Sequence, residues 1–424
     1  MSLVVLATTD LHGERAPELA RLAREGPGAA ILVDNGDAFG GAAGLRFSLE
    51  GGACGTVEWM NSLGLAALNV GNHDLDQGVE GLLARAQQAR FAILSANLFE
   101  GDRRLLPDRV VVDSDAGAVG IAGAITPAAG ILWPPSLRRR LRVTDPVAAL
   151  RRCCEALRPR CRFVIALAHL GFPLLPELAE ENPGEELLAA LGITGADGRP
   201  LADCVVLGHT HLEHAEVRGS QAVLMPGRRA EAVGRARLGG DVEAEVHKLS
   251  GTPAERLQRA DPRLQAIQVT ERERLARLLA RALPVGSART FGEQLLAAAR
   301  RRGADGIVVA QRVGTSLAPA RTLGEALPRA PMLEPLVLLG LSAPALRRTL
   351  VARDRHAVRA ELAGDPQAAR RHRWHAFELL GGSGGGPYRL LVPASWTGGY
   401  AGYEDLSSAP ILAEPGDHLL ELLL

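Results

Sequence analysis

The amino-acid sequence predicts a two-domain protein whose first half is a layered α/β domain. The chain has 424 residues, more than one hydrophobic core usually organises. From residue 1 to about 250, short runs rich in Val, Ile and Leu alternate with longer helical patterns, as in layered α/β proteins. This alternation ends in a polar, charged segment. We therefore expect a first domain over 1–250, a helical linker over 251–284 and a smaller α+β domain over 285–424.

Apolar runs and helical periodicity place the individual elements. The strands predicted for the first domain are Leu3–Thr8, Ala30–Val33, Ala66–Val70, Phe91–Leu94, Val119–Ile125, Phe163–Leu167 and Val205–Leu207. Its predicted helices are Ala16–Glu25, Leu82–Arg90 and Val147–Leu157. In the second part we predict helices at Phe291–Arg302 and Pro344–Arg353, strands at Gly306–Val309 and Tyr388–Val392, and a glycine-rich loop at Gly381–Gly386.

Composition excludes several classes of protein. No run is long and apolar enough to cross a bilayer, and the first nine residues show neither a basic leader nor a cleavage pattern, so we expect a cytoplasmic protein without a membrane partner. The formal charge is zero and the arginines are scattered, which argues against a nucleic-acid polymer as partner. The five cysteines lack the spacing of a disulfide framework or a zinc knuckle, so we expect them to be reduced.

Two conspicuous groups are interpreted as structural. The adjacent Cys153 and Cys154 lie on a predicted helix, where buried thiols usually serve packing. The segment from His372 to His375 is a basic patch that we interpret as a solvated turn before a strand.

Polar residues follow the apolar strands at five places before residue 212. Side chains at the carboxyl ends of neighbouring parallel strands converge on one crevice, so these clusters should meet. They are Asp10 with His12, Gly36 with Asp37, Asn72 with His73, His169, and His209 with His211.

The donors gathered in this way suit divalent metals. Two carboxylates, one carboxamide oxygen and four imidazoles form a mixed oxygen and nitrogen set that borderline divalent ions accept. Seven ligands are too many for one ion. A pair of ions roughly 3.5–4 Å apart, with one bridging carboxylate, would account for all of them.

The ordered motifs Asp-x-His, Gly-Asp, Gly-Asn-His-Asp, His and Gly-His-x-His resemble those of the calcineurin-like metallophosphoesterases. Ile-Leu-Ser-Ala-Asn ending at Asn97, Ala-His-Leu-Gly at 168–171 and the second domain are similar to the bacterial 5′-nucleotidase branch. This resemblance implies a four-layer α/β/β/α catalytic domain followed by a 5′-nucleotidase C-terminal-like domain for substrate recognition.

The resemblance also implies roles for single residues. One divalent cation, Mn²⁺, Zn²⁺ or similar, would be held by Asp10, His12, Asp37 and His211. A second would be held by Asp37, Asn72, His169 and His209, with Asp37 as the bridge. His73 would pair with Asp76, in preference to the adjacent Asp74, and face the leaving oxygen while a metal-bound hydroxide attacks phosphorus.

The second domain departs from the family's nucleotide-recognition pattern. Ala310 stands where the family has Asn, and Thr315 stands near its expected Arg. Arg312, or alternatively Arg321, could supply the missing cation, and Trp396 and Tyr403 are placed to stack a ring. Loss of polar partners weakens recognition of a nucleoside, so the substrate stays open.

The sequence therefore predicts a dinuclear hydrolase of a small phosphomonoester, either a nucleoside monophosphate or a sugar or glycerate phosphate. Three alternatives remain open. The same core could cleave cyclic nucleotides or nucleotide-sugar pyrophosphates, it could act on a sulfur ester, or it could serve as a metal-binding regulatory module without turnover. The oligomeric state is not predicted.

Overall fold

The computed structural model describes the first part of the chain almost continuously and the second part in shorter segments. Described are residues 2–24, 29–39, 55–173, 182–194, 198–251, 283–289, 291–304, 306–310, 319–321, 336–342, 374–377, 388–393 and 409–413, with isolated positions between 255 and 277 and between 344 and 348. The chain divides into two compact units. Met1–Ala129 and Arg140–Arg272 form the first, and Gly130–Arg139 and Glu273–Leu424 form the second.

Most of the described secondary structure is strand. In chain order the strands are β1 (Leu3–Thr8), β2 (Ala29–Asp34), β3 (Ala67–Asn69), β4 (Ala92–Leu94), β5 (Leu98–Glu100), β6 (Arg103–Arg104), β7 (Arg109–Val112), β8 (Val119–Ile125), β9 (Leu141–Val143), β10 (Phe163–His169), β11 (Cys204–Leu207), β12 (Glu213–Arg218), β13 (Gln221–Pro226), β14 (Ala232–Leu238), β15 (Glu243–Lys248), β16 (Gly306–Ala310), β17 (Leu336–Leu341), β18 (Trp374–Phe377), β19 (Tyr388–Pro393) and β20 (Ile411–Ala413).

The helices lie between these strands along the chain. In chain order they are α1 (Leu19–Leu22), α2 (Gly55–Leu63), α3 (Gly78–Gln88), α4 (Pro135–Arg140), α5 (Pro146–Leu157), α6 (Gly184–Leu191) and α7 (Phe291–Arg301), with 3₁₀ turns at Asn72–Leu75 and Pro127–Leu132. Asp145 caps α5 by accepting hydrogen bonds from Val147 and Ala148, and Pro146 occupies the first turn. Among the residues described, no helix is long and apolar enough to span a membrane.

Two six-stranded sheets form the centre of the first unit. Their strand orders are β15-β14-β1-β2-β3-β4 and β12-β13-β11-β10-β8-β7, and a small three-stranded sheet has the order β6-β5-β9. Strands β1 to β4 are parallel, as are β8, β10, β11 and β13, whereas the outer strands pair antiparallel. The carboxyl ends of the parallel strands therefore meet at one edge of each sheet.

The core lies between these sheets and on their outer faces. Alternate residues of β1, Leu3, Val5 and Ala7, belong to the same apolar cluster as Ile165 and Leu167 of β10, so the sheets pack face to face. A second cluster joins the other face of the second sheet to α5 and α6. All six residues of β1 are buried, as expected of a strand covered on both faces.

The second unit contains a five-stranded sheet of order β18-β16-β19-β17-β20. Strands β16 and β19 are parallel, and the other pairs are antiparallel. Helix α7 carries the buried Leu295 and Ala299, and Ile307 and Leu391 are buried in the sheet. The unit is therefore a mixed α and β structure with its own apolar core.

The structure matches the predicted fold class and corrects several elements. The strands at Leu3–Thr8 and Val119–Ile125 have the predicted bounds. The helix expected at Ala16–Glu25 is confined to Leu19–Leu22, because the preceding residues form the turn after β1, where Glu14 N donates to Leu11 O at 2.9 Å.

Strands β12 to β15 had not been predicted. The edge strands β12 and β15 alternate charged with apolar residues, a weaker signal than a continuous apolar run, whereas β13 is buried at all six residues and was missed although Ala222 to Met225 are apolar. Trp374 and His375, expected in a turn, lie within β18. The loop at 381–386 and most of the helix expected at Pro344–Arg353 fall outside the described residues.

Candidate metal centre

The loops after β1 and β2 run side by side, which brings the first three candidate ligands together. Asp10 N donates to Gly36 O at 2.8 Å, and His12 N donates to Asp37 O at 2.8 Å. Since β1 and β2 are parallel and paired as far as Thr8 and Asp34, both loops begin at the same level of the sheet. Asp10, His12 and Asp37 therefore lie at one edge.

Five candidate ligands have backbones in the left-handed region. Their φ angles are 51° at Asp10, 47° at His12, 54° at Asp37, 67° at His209 and 60° at His211. This conformation costs roughly 1–2 kcal/mol for a residue with a Cβ, although Asp and His tolerate it better than most. The unusual conformation turns both side chains of Asp10-x-His12, and of His209-x-His211, toward the same region.

Two glycines allow the loops to approach each other closely. A Cβ on Gly71 would lie 2.2 Å from Asp37 Oδ1, and one on Gly208 would lie 2.3 Å from Thr9 Oγ1. Neither contact is compatible with a side chain, because real Cβ atoms do not approach other atoms so closely. The glycine before Asn72 and the glycine before His209 are thus required by packing around the ligands.

The first group of donors consists of Asp10, His12 and His211, whose ligand atoms all lie within 4.8 Å of one another. His12 Nε2 is 3.4 Å from His211 Nε2, and His211 Nε2 is 3.3 Å from Asp10 Oδ1. The other Asp10 oxygen, Oδ2, accepts hydrogen bonds from Thr9 Oγ1 at 2.7 Å and His209 N at 3.0 Å. These bonds fix the carboxylate and leave Oδ1 facing the imidazoles.

The second group consists of Asp37, His169 and His209, again within 4.8 Å. His169 Nε2 lies 3.2 Å from Asp37 Oδ2 and 3.2 Å from Asn72 Oδ1, which adds the carboxamide to this group. The same nitrogen is 3.9 Å from Asp10 Oδ1, so the two groups adjoin. Asp37 Oδ1 accepts a hydrogen bond from His73 N at 2.8 Å.

The carboxylates of the two groups are buried and ionised. Burial alone would raise the pKa of Asp10, but His169 and His211 lower it below its ordinary value. Burial would likewise raise the pKa of Asp37, yet His169 and His73 hold it well below that value. Two negative charges in a buried crevice require positive charge close by.

The imidazoles differ from one another in their protonation. Burial lowers the pKa of His12 and of His209 to about 4, so both rings are neutral near pH 7. Burial would also lower the pKa of His169, but Asp37 and Asp10 raise it to about 10. His169 Nδ1 donates to Asn35 O at 2.7 Å, which directs Nε2 toward the carboxylates.

These residues fit a pair of divalent cations. Among the described residues, Asp10 Oδ1 is buried without a hydrogen-bond donor. The nitrogens of His12 and His211 face each other at 3.4 Å, and their neighbour is an ionised carboxylate. A cation between such atoms would satisfy all three, since neutral imidazole and carboxylate are established ligands of zinc and manganese-like ions.

His73 lies beside the two groups, with its ring centroid 5.5 Å from that of His12. Its Nδ1 is 3.2 Å from both oxygens of Asp76. Asp74 has different partners, because its carboxylate accepts hydrogen bonds from backbone groups of two loops. The structure thus places Asp76, and not Asp74, against the His73 ring.

Two buried amides that the sequence had not singled out support the centre. Asn35 Nδ2 donates to Ala168 O at 2.8 Å and to Val206 O at 3.1 Å. Asn69 Nδ2 donates to Asn35 Oδ1 at 3.1 Å and to Ala124 O at 2.8 Å. Asn at the end of an apolar strand is a signal that could have identified both residues.

The structure brings together all seven predicted metal ligands and the pair His73 and Asp76, while their roles stay predictions. The substrate residues predicted for the second domain, Arg312, Trp396 and Tyr403, lie outside the described residues.

Several known proteins are similar to this chain in sequence or in fold. Residues 3–213 match the family model described as calcineurin-like phosphoesterase. The 2′,3′-cyclic-nucleotide 2′-phosphodiesterase/3′-nucleotidase of Haemophilus influenzae is 24% identical over 249 residues, or 50% of this chain and 36% of that protein. The human 5′-nucleotidase is 30% identical over 167 residues, or 37% of this chain and 28% of that protein. The chain therefore matches only about a third of the length of the Haemophilus influenzae protein and less than a third of the human one.

A solved structure extends the similarity to the whole chain. The 5′-nucleotidase precursor of Thermus thermophilus covers 100% of this chain and 95% of its own, with a TM-score of 0.66 and 18% identity. At this identity the match establishes the fold.

Proposed function

Because the segment 3–213 belongs to the calcineurin-like phosphoesterase family, we propose that this chain hydrolyses a small phosphomonoester at a dinuclear metal centre. The observation that carries the proposal is the pair of adjoining ligand groups, Asp10 with His12 and His211, and Asp37 with His169 and His209. A dinuclear site can bind both the attacking and the leaving oxygen in a phosphoryl transfer.

The centre would be held as follows. Asp10, His12, Asp37 and His211 would bind one cation, and Asp37, Asn72, His169 and His209 the other. When bound, the two cations would neutralise charge on the phosphoryl oxygens and make water a better nucleophile. Either Mn²⁺ or Zn²⁺ fits the donor set.

The protein's own groups would orient this centre and move one proton. Asn35 O holds His169 Nδ1, and His73 N holds Asp37 Oδ1, so both ligands are positioned before substrate arrives. The His73 ring, paired through Nδ1 with Asp76, would carry a proton at Nε2 and donate it to the leaving oxygen.

Phosphate release from a broad panel of phosphomonoesters tests the proposal. We expect that protein stripped with a chelator is inactive and that Mn²⁺, Co²⁺ or Zn²⁺ restores activity. Asp37→Asn should lower kcat at least about a hundredfold, because a bridging carboxylate is lost. Asp241→Asn, which removes an exposed carboxylate, is the matched control. An unchanged rate in Asp37→Asn would overturn the assignment.

Nucleoside monophosphates, sugar phosphates and glycerate phosphates are the proposed substrate classes. A second reaction, cleavage of a cyclic phosphodiester, is favoured by the name of the Haemophilus influenzae relative. Comparing a 2′,3′-cyclic nucleotide with its 3′-monoester on one enzyme preparation separates the two. Stoichiometric metal without hydrolysis of these two compounds or of any ester in the panel would instead indicate a binding or regulatory module.

A further inference from the structure

The loop between β13 and β14 lies against the candidate metal centre. Arg229 N donates to Asp10 O at 2.8 Å, so the loop is hydrogen-bonded to a residue of the first ligand group. A Cβ on Gly227 would lie 2.9 Å from Glu213 Cγ, which places the start of the loop against the segment that follows His211. Gly227 and Arg229 thus contact the two chain segments that carry the first ligand group, the one just after His211 and the one at Asp10.

The same loop has an unusual backbone. Arg229 and Ala230 have φ angles of 51° and 53°, so two consecutive residues with a Cβ are in the left-handed region. Glycine would adopt this conformation without strain, and a loop that only connects two strands usually has glycine at such positions. Strained backbone of this kind is concentrated at functional sites.

The loop lies near the side from which a substrate can enter. The side chains of Asp10 and His169 are fully buried, whereas those of His73 and His211 are 30% and 34% exposed. The centre is therefore accessible at the edge formed by His73 and His211, and Gly227 adjoins the segment just after His211. Arg228 and Arg229 are exposed on this loop.

Both arginines differ from their neighbours on the next strand. Arg235 pairs with Glu245 at 3.0 Å and Arg237 pairs with Glu243, whereas in the described part of the chain neither Arg228 nor Arg229 forms an ion pair. Surface arginines without a carboxylate partner are suited to phosphate, which a guanidinium binds through two parallel hydrogen bonds.

We propose that Arg228 and Arg229 form an anion-binding site beside the metal centre, and that this site holds phosphoryl oxygens of the substrate. This inference rests on the proposed function, and it identifies a positive charge for substrate binding within the first unit of the chain. The hydrogen bond from Arg229 N to Asp10 O connects the loop that carries both arginines to a residue that would bind a cation.

The test is a titration of inorganic phosphate into Mn²⁺-loaded full-length protein by calorimetry, with the double variant Arg228→Gln/Arg229→Gln. Loss of charge-assisted hydrogen bonds should weaken phosphate binding about tenfold or more. KM for p-nitrophenyl phosphate should rise by a similar factor, while the Mn²⁺ content per chain stays unchanged. Arg237→Gln, which removes a guanidinium already paired with Glu243, is the control and should bind phosphate like the wild type.

Three outcomes decide the inference. Phosphate affinity within twofold of the wild type in the double variant would overturn it. Loss of Mn²⁺ from the double variant would also overturn it, because the loop would then act only as a support for Asp10. A wild type that binds Mn²⁺ but neither binds phosphate nor hydrolyses any ester overturns the proposed function itself, which is a distinguishable result.

Discussion

At the scale of single residues, the Asp74 carboxylate holds together the loops that carry Asp37 and Asn72. Its Oδ2 accepts hydrogen bonds from Asp37 N at 2.9 Å and Gly71 N at 2.8 Å, and its Oδ1 accepts one from Phe39 N at 2.9 Å. Burial, followed by the charge of Asp37, raises the pKa of Asp74 to about 6. Asp74 therefore positions the loops of two proposed ligands, whereas Asp76 contacts the His73 ring.

Replacing these two neighbouring acids should separate the roles. In Asp74→Asn an amide NH₂ would face a backbone N–H, so we expect about 1–3 kcal/mol less stability and roughly tenfold weaker Mn²⁺ binding. Asp76→Asn should keep Mn²⁺ affinity but lower kcat about a hundredfold, because His73 loses its carboxylate. Denaturant unfolding, metal titration and kinetics measure these effects, and equal losses of metal in the two variants would contradict this division.

Asp34 should make the stability of the metal-free protein depend on pH. Burial raises its pKa from 3.8 to about 8, while Thr8 Oγ1 at 2.6 Å and Gly36 N at 3.0 Å donate to it. The folded state therefore holds this proton more tightly than the unfolded state. The stability that protonated Asp34 contributes is fully present below about pH 4, the pKa range of the unfolded chain, and is lost as the pH rises toward 8.

The variant Asp34→Asn should remove that dependence. Asn can accept from Gly36 N and donate to the Thr8 hydroxyl, so the buried contacts are kept. In chelator-treated protein, we expect the stability of the variant relative to wild type to increase by at least about 1 kcal/mol between pH 5 and pH 8. Urea unfolding at several pH values measures this difference. Asp241→Asn is the control, and a constant difference across the range would refute the prediction.

At the scale of elements, the carboxyl ends of the two large sheets are joined by buried amides. Asn69 at the end of β3 donates to Ala124 O of β8, and Asn35 after β2 donates to Ala168 O of β10 and Val206 O of β11. Apolar packing between the sheets has little directional preference, whereas these hydrogen bonds fix the alignment of the strand ends. That alignment sets the positions of loops that belong to different sheets.

The substitution Asn69→Ala should therefore lower the free energy of unfolding. It leaves Ala124 O and Asn35 Oδ1 without their donor in a buried region, and we expect about 2–3 kcal/mol of lost stability. Metal affinity should also decrease, because Asn35 holds His169. Asn61→Ala removes two exposed hydrogen bonds, one donated to Gln88 O and one accepted from Arg90 N, and is the control, with an expected loss below about 1 kcal/mol. Similar unfolding midpoints for the two variants would argue against the role of the network.

At the scale of the whole molecule, the proposed metal ligands belong to one compact unit. All seven lie in Met1–Ala129 and Arg140–Arg272, while the second unit has its own sheet and buried residues. A ligand that binds only the folded form stabilises that form by mass action. Bound metal should therefore stabilise the first unit selectively.

Removing the metal tests this expectation. With free Mn²⁺ at a hundred times its Kd, one site contributes about 2.7 kcal/mol, so a chelator should lower the melting temperature of the first unit by several degrees. The transition of the second unit should not move. Scanning calorimetry with and without EDTA measures both. Equal shifts of all transitions, or no shift, would contradict the prediction.

The sequence by itself determined the layered α/β fold of the first half and the set of polar residues at the strand ends. Apolar runs such as Val119–Ile125 specify buried strands through their own composition, and short-range motifs such as Asp10-x-His12 are visible without a structure. The edge strands β12 and β15 were missed, because pairing with neighbours decides whether a charged, alternating segment becomes a strand.

Only the tertiary structure decided which of these residues support one another. The hydrogen bonds between Asp74 and Asp37 N, those of the amides Asn35 and Asn69, and the one from Arg229 N to Asp10 O join residues 34 to 219 positions apart, and no local pattern encodes such distances. The left-handed conformation of Asp10, His12, Asp37, His209 and His211 has the same origin. Local propensity disfavours it, and hydrogen bonds from neighbouring loops impose it.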